Sequence, residues 1–148
     1  MARIRTRRYA SSAKRVDAMI DGATKEAIAA TQPALMRAGK IVAADMKRLA
    51  ETSRDTGNLI ESITVTPGGK STPPYSQPGG EAVVPDNMVM ITAGDSDARY
   101  PHLVEYGTKK AKAQPFFWPA FRLGRKKAAQ SIQRAISKAV RKGANSGV

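Results

Sequence analysis

The sequence predicts an α+β fold, with a long N-terminal helix, a small antiparallel sheet that contains a long Pro/Gly loop, and a C-terminal helix. Apolar residues recur at three- and four-residue spacings across 16–49 and 121–139, which is the period of an amphipathic helix. Between these regions, 59–66 and 88–93 are short and rich in β-branched residues, which favours strands. Because the strands lie between helices and do not alternate with them, α+β is favoured over a parallel α/β fold.

A proline interrupts the helical pattern of the N-terminal region. Two apolar stripes lie on either side of Pro33. Proline is tolerated in the first turn of a helix but not in its interior, so either the helix kinks at Pro33 or a second helix begins near Thr31, whose side chain would cap it. The turn-forming residues 52–58 end this region. The stripes comprise Val16, Met19, Ile20, Ala23 and Ala27, then Leu35, Ala38, Val42, Met46 and Leu49.

The two predicted strands flank a long irregular segment. Leu59–Thr66 is the first strand, with Ile63 and Val65 on one face, and Met88–Ala93 is the second. The segment 67–81 holds four prolines and four glycines and cannot form a regular element. A loop of this length is either functional or a disordered hairpin tip. So small a sheet needs helices on one face, or a neighbouring chain at its edge, for stability.

The chain has the length of one domain, which the pattern places over 14–142. Residues 1–13 are predicted to form a flexible basic arm, and 143–148 a disordered tail. The final helix is predicted from about Pro119 to Lys142, with Lys and Arg over most of its surface. Its apolar stripe consists of Phe121, Ala128, Ile132, Ala135, Ile136 and Ala139.

The net charge of +13 is concentrated at the two ends of the chain. Residues 1–16 and 106–148 contain six and eleven basic residues and no acidic ones, whereas 17–105 are slightly acidic. A basic end binds a phosphate backbone, an anionic membrane or an acidic protein face, or it is simply a solvated surface. The residues predicted to contact DNA or an acidic partner are Arg3, Arg5, Arg7, Arg8, Lys109, Lys110 and Lys112.

Composition and motifs exclude several kinds of chemistry. The absence of cysteine excludes disulfides, thiolate metal sites and a cysteine nucleophile. No apolar run approaches the roughly 20 residues that span a bilayer, and none follows the basic start as in a secretory signal. We therefore expect no membrane partner.

His102 and Glu105 are the one candidate acid–base pair, in an apolar segment where a packing or capping role is the favoured interpretation. Asp95 and Asp97 are close together but lack the later ligands of a calcium loop, so a surface turn is favoured. The paired glycines of 67–81 do not lie between a strand and a helix, and no GxSxG motif occurs. The sequence predicts no enzyme, no cofactor and no metal site.

The segment 100–121 is the most distinctive part of the chain. It contains Val104–Thr108 (VEYGT), then Pro115–Phe116 (PF) and Pro119–Ala120 (PA), and it follows Thr56–Leu59 (TGNL) upstream. These blocks, in this order, resemble the tail-completion or neck proteins of long-tailed double-stranded-DNA bacteriophages and of related gene transfer agents. The resemblance covers about residues 12–142. The chain departs from the pattern at Pro101, where the family usually has a small residue, and in its more basic ends.

The resemblance implies a small α+β structural subunit of the virion, found at the head–tail junction after assembly in the bacterial cytoplasm. It implies a ring of identical copies, a hexamer, between a head-closure or connector ring and a tail terminator or tail tube protein. Such a ring meets packaged DNA transiently, and no catalytic residues accompany the resemblance. The alternative is a basic nucleic-acid-binding protein.

The junction within 100–121 is also the predicted interaction site. Gly107 permits a positive φ and therefore a sharp turn, and Pro115 and Pro119 hold the aromatic residues at a helix start. We expect at least two of Phe116, Phe117, Trp118 and Phe121 to lie in the core and one or two to anchor a neighbouring subunit. The interface candidates are Tyr75, Glu105, Tyr106, Gly107, Thr108, Phe116, Phe117 and Trp118.

Overall fold

The computed structural model describes the backbone of residues 2–55 and 57–146, and side chains from Ser11 onward within these ranges. It confirms the α+β prediction: the chain begins and ends with a long helix, and a two-stranded antiparallel sheet and two short helices lie between them in the sequence. The elements, in chain order, are α1 (Ala2–Ala50), a 3₁₀ turn (Glu51–Ser53), α2 (Asn58–Glu61), β1 (Thr64–Pro67), β2 (Val89–Thr92), α3 (Pro101–Tyr106) and α4 (Phe117–Ser146).

Helix α1 continues through Pro33 without ending, so the predicted second helix at Thr31 does not form. The hydroxyl of Thr31 donates to the carbonyl oxygen of Ala27 at 2.9 Å, as in a helix interior, and does not cap a new helix. An interior proline costs a helix about 3 kcal/mol because it removes one hydrogen bond. The long packing of α1 against α4 offsets that cost.

Both long helices extend further than their sequence patterns indicated. Helical backbone begins at Ala2, where the sequence predicted a flexible arm over 1–13, and α4 runs to Ser146, past the start of the tail predicted over 143–148. Arg and Ala are good helix formers, so a basic composition does not by itself end a helix. Met1 and residues 147–148 lie outside the described residues.

The two long helices pack antiparallel, and their closest approach is at a pair of glycines. A Cβ atom at Gly22 or at Gly143 would overlap the backbone carbonyl of the other residue. Further along, a Cβ at Gly124 would lie 3.2 Å from a methyl group of Val42. Small residues therefore set the distance between α1 and α4 along much of this antiparallel helix pair, the α1–α4 hairpin.

The sheet lies against the middle of α1. Thr64 pairs with Thr92 and Val65 pairs with Ile91, in antiparallel register. A Cβ at Gly39 of α1 would approach Cγ1 of Val65 to 2.9 Å, so glycine allows the sheet to pack closely on the helix.

The start of the predicted first strand is wrong, because residues 58–61 form helix α2. Gly57, with φ +92°, turns the chain, and its carbonyl oxygen accepts the N–H groups of Ile60 and Glu61. The buried hydroxyl of Ser62 then donates to the carbonyl oxygen of Leu59 and accepts the N–H of Gly94 at 3.0 Å. These local bonds favour a helical turn, so the strand begins only at Thr64.

The Pro/Gly loop has a defined hydrogen-bonded shape. The N–H of Gly69 donates to the carbonyl oxygen of Val84, and the N–H of Val84 donates to that of Lys70. The buried Thr72 hydroxyl donates to the carbonyl oxygen of Gly80 at 2.9 Å. The loop therefore folds back on itself next to the sheet, although it contributes no further strand to it.

The hydrophobic core lies at one end of the molecule, where the C-terminal half of α1, helix α2, the sheet and the start of α4 meet. Met46, Ile63 and Phe116 are fully buried there. Toward the other end of the hairpin, α1 and α4 approach each other most closely at Gly22 and Gly143. This arrangement leaves the α3–α4 junction on the core and the distal helix ends largely exposed.

Candidate interaction site at the α3–α4 junction

Helix α3 occupies the segment that leads into the junction. Residues Pro101–Tyr106 are helical, with proline in the first turn of the helix. The positive φ predicted for Gly107 is confirmed at 76°, with ψ 178°, a region that is open essentially to glycine alone. A Cβ there would lie 2.7 Å from the backbone nitrogen of Ala113. Gly107 therefore ends α3 and lets the basic loop pass close to it.

The carboxylate of Glu105 caps the N-terminus of α4. One oxygen accepts the backbone N–H groups of Phe116 and Phe117 at 2.8 and 2.9 Å, and the other accepts that of Trp118 at 3.1 Å. The first N–H groups of a helix have no partner within it, and the positive end of the helix dipole favours a negative charge. Glu105 is buried, so these bonds compensate for its loss of water.

This cap joins two of the sequence blocks physically. Glu105 belongs to the VEYGT block and the three N–H groups belong to the PFFWPA segment. The N-terminus of α4 has no Ser, Thr, Asp or Asn immediately before it that could act as its own cap. That missing cap, together with an acid in an apolar segment, is the sequence signal by which the role of Glu105 could have been found.

The cap also gives Glu105 a structural role within the His102–Glu105 pair. The carboxylate oxygens of Glu105 are occupied by backbone N–H groups, whereas the His102 side chain is exposed on α3. The packing and capping interpretation is therefore correct for Glu105. Of the predicted interface candidates, Glu105, Phe116 and Phe117 are buried within the chain.

The aromatic residues form a continuous row from the core to the surface. Successive rings of Phe116, Phe117, Trp118 and Phe121 meet edge to face, with centroids 6.3, 5.2 and 6.1 Å apart. Phe116 and Phe117 are buried, which confirms that at least two of the four belong to the core, while Trp118 and Phe121 reach the surface.

An exposed aromatic patch forms where this row reaches solvent; it consists of Tyr106, Trp118 and Phe121. The indole N–H of Trp118 donates to the hydroxyl of Tyr106 at 2.9 Å, which fixes both side chains. Tyr106 is 70% exposed, so much of its ring is free to pack against another molecule. Rigid aromatic side chains with a polar end are favoured at interfaces because little conformational entropy is lost when they bind. The patch retains two of the predicted interface candidates.

The remaining interface candidates lie outside the patch. Tyr75, in the Pro/Gly loop, has φ 60° and stacks under the guanidinium of Arg99, whose Cζ lies 3.9 Å from the ring centroid. The hydroxyl of Thr108 accepts the N–H groups of Lys110 and Ala111, so it shapes the basic loop.

The basic residues that the sequence predicted to contact DNA or an acidic partner fall into two groups. Lys109, Lys110 and Lys112 are exposed on the loop between Gly107 and α4. The backbone of Arg3, Arg5, Arg7 and Arg8 is helical, but their side chains lie outside the described residues. The sequence did not single out the basic residues of α4 as a site, although their helical spacing was visible.

Two further observations concern chemistry and membranes. Asp95 accepts the N–H groups of Asp97 and Ala98, both at 2.9 Å, which confirms the predicted surface turn. Across the residues whose side chains are described, no group of three or more His, Cys, Asp or Glu residues could hold a metal ion. No helix in the described part of the chain is long and apolar enough to cross a membrane.

Comparison with known families identifies the class to which the chain belongs. The family described as "Bacteriophage HK97-gp10, putative tail-component" matches residues 12–107, which include most of α1, the sheet and all of α3. This match defines the class of protein, a structural component of a phage tail and hence of the virion. The chain belongs to the HK97-gp10-like family. No curated protein and no solved structure matches the chain.

Proposed function

We propose that the chain is a subunit of the phage neck, where it completes the tail and joins it to the head as a ring of six identical copies. One ring neighbour is a head-closure or connector ring, and the other is a tail terminator or tail tube protein. The family match over residues 12–107 carries this proposal, because it assigns the chain to tail components and includes the VEYGT block up to Gly107. The subunit acts by binding its neighbours and catalyses no reaction.

The distribution of exposed apolar residues supports assembly into a ring. A ring of identical subunits joined head to tail needs two different surfaces on each subunit. The aromatic patch lies at one end of the α1–α4 hairpin, where Val42 packs beside Gly124. Val16, Ile20 and Ile28 are exposed on α1 toward the other end, where Gly22 packs beside Gly143. These are two separate apolar surfaces of the kind that protein interfaces cover.

Particles produced without this gene test the proposal. We expect separate filled heads and separate tails in electron micrographs, and we expect the wild-type gene in trans to restore joined particles. A variant with Tyr106→Ser and Trp118→Ser should restore few, while Lys70→Gln, an exposed change outside both apolar surfaces, should restore joining fully. Joined, infectious particles in the absence of the gene would contradict the proposed role.

A second candidate function is that of a basic nucleic-acid-binding protein. It is favoured by the eight Lys and Arg residues of α4, which has no acidic residue. Particles produced without this gene also distinguish the two candidate functions. A protein needed mainly for its contact with DNA would leave heads and tails joined but the particles empty.

A further inference from the structure

The outer face of α4 carries a shallow basic groove, formed by Gln133, Arg134, Ser137, Lys138 and Arg141. The opposite face of the helix packs on α1 through buried Ala139 and Gly143. The groove therefore faces away from α1, and its five side chains are exposed.

The charge of this helix is not balanced within the described part of the chain. All eight Lys and Arg side chains of α4 are exposed, and the salt bridge that α4 forms among the described residues joins Lys142 to Glu26 at 3.2 Å. Arg134 and Lys138 are four residues apart, as are Lys138 and Lys142. Like charges at this spacing destabilise a helix, so an anion from outside the chain would relieve the repulsion.

We propose that this groove binds the phosphate backbone of double-stranded DNA. Arg134, Lys138 and Arg141 would contact phosphates, and Gln133 and Ser137 would donate hydrogen bonds to phosphate oxygens, as these residue types do in protein–DNA interfaces. Arg134 and Arg141 are seven residues apart, which is about 10 Å along a helix. Each strand of DNA carries one phosphate per 3.4 Å of the duplex axis, so a helix lying along that axis would place the three cations over roughly three phosphates.

The side chains of the groove favour a phosphate backbone over an acidic protein or a membrane. No apolar or aromatic side chain lines it, whereas protein interfaces depend on such anchors and membrane-surface helices need an apolar face beside their cations. The contacts involve phosphate and not bases, so binding is independent of sequence. The groove lies beyond residue 107, outside the segment that the tail-component family matches, so this inference does not depend on the neck proposal.

Salt dependence of DNA binding by the full chain tests the inference. Binding to a 30-base-pair duplex of mixed sequence is followed by fluorescence anisotropy over a series of salt concentrations. Each phosphate contact adds about 0.9 to the slope of log K against log salt, so the variant R134Q/K138Q/R141Q should have a slope shallower by about 2 to 3. Its affinity at low salt should fall by about tenfold or more. Far-UV circular dichroism should show unchanged helicity, because these side chains are exposed.

The matched control is K25Q/K40Q/K70Q, which removes the same charge at exposed positions outside α4. We expect it to keep the wild-type slope. Equal losses in both variants would show an effect of net charge alone and would overturn the proposal, as would no loss in the α4 variant.

Polyglutamate and phosphatidylserine vesicles are then added as competitors at matched charge. If either competitor displaced the duplex as effectively as unlabelled DNA does, the groove would be assigned to an acidic protein or to a membrane. That result would also overturn the proposal.

Discussion

The two ends of the α1–α4 hairpin differ in how the same two helices are held. At the core end, α2, the sheet and the Glu105 cap surround them, and Phe116 and Met46 are at most 1% exposed. At the distal end the two helices pack on each other at Gly22 and Gly143, and Ile20 and Ile28 of α1 are 57% and 69% exposed. A pair of helices buries one stripe on each, so the remaining apolar residues stay in contact with water.

This difference separates residues that stabilise the fold from residues that are free to bind. The core end combines close packing with hydrogen bonds that compensate a buried charge, and a change at one of its buried residues must destabilise the chain, whereas the aromatic patch at the same end is exposed. The distal end exposes apolar side chains whose removal costs the isolated chain little. Such side chains gain burial only when another molecule covers them. Under the neck proposal, that molecule is the next subunit of the ring.

The largest expected effect is on the core. Phe116→Ala should lower the free energy of unfolding by about 3 to 5 kcal/mol, because it removes a fully buried ring and leaves a cavity. Phe121→Ala, a matched change at the partly exposed end of the aromatic row, should cost about 1 kcal/mol. Urea denaturation of both variants measures the difference. Equal losses of unfolding free energy would show that Phe121 belongs to the core as fully as Phe116 does.

A smaller loss is expected from removing the cap of α4. Glu105→Ala leaves three N–H groups without their acceptor, and we expect a loss of about 2 to 4 kcal/mol in the free energy of unfolding. Glu105→Gln keeps one acceptor oxygen and should recover roughly half of that loss. Urea denaturation again provides the measurement. If the alanine variant were as stable as the wild type, the cap would not contribute to holding the junction.

The smallest effect on stability is expected at the distal end. Ile20→Ser combined with Ile28→Ser should change the free energy of unfolding of the isolated chain by about 0.5 kcal/mol or less per site, since both side chains are exposed. The same variant, supplied to particles that lack the gene, should restore few joined heads and tails. Full restoration would show that no neighbour covers this surface.

Regular patterns in the sequence predicted the helices and the class of fold well. Val42, Met46 and Ala139 lie on the predicted stripes and are buried in the structure. These stripes were visible because burial on one side of a helix repeats with the helical period. The four-residue ladder from Thr64 to Pro67 likewise lies mostly within the predicted first strand, although that strand begins later than its apolar residues suggested.

The errors occurred where local signals and tertiary contacts disagreed. Pro33 argued for a break in α1, but the packing of α1 on α4 keeps the helix intact. Residues 101–106 are too short to display a helical period, so the sequence pattern did not identify α3. At the candidate site, the sequence correctly placed two aromatic rings in the core, but it did not identify Glu105 as the cap of α4. The burial of Glu105 depends on α4, which begins twelve residues later in the chain.

The sequence by itself determined the α+β class, the two amphipathic helices, the sharp turn at Gly107 and the excess of positive charge, because each depends on residue type and on spacing along the chain. Only the tertiary structure decided that Glu105 caps α4, that Trp118 and Tyr106 are joined at the surface, and that the cations of α4 face away from α1. These are relations between segments distant in sequence or between opposite faces of one helix, and they exist only once burial and hydrogen bonding have selected a single arrangement of the elements.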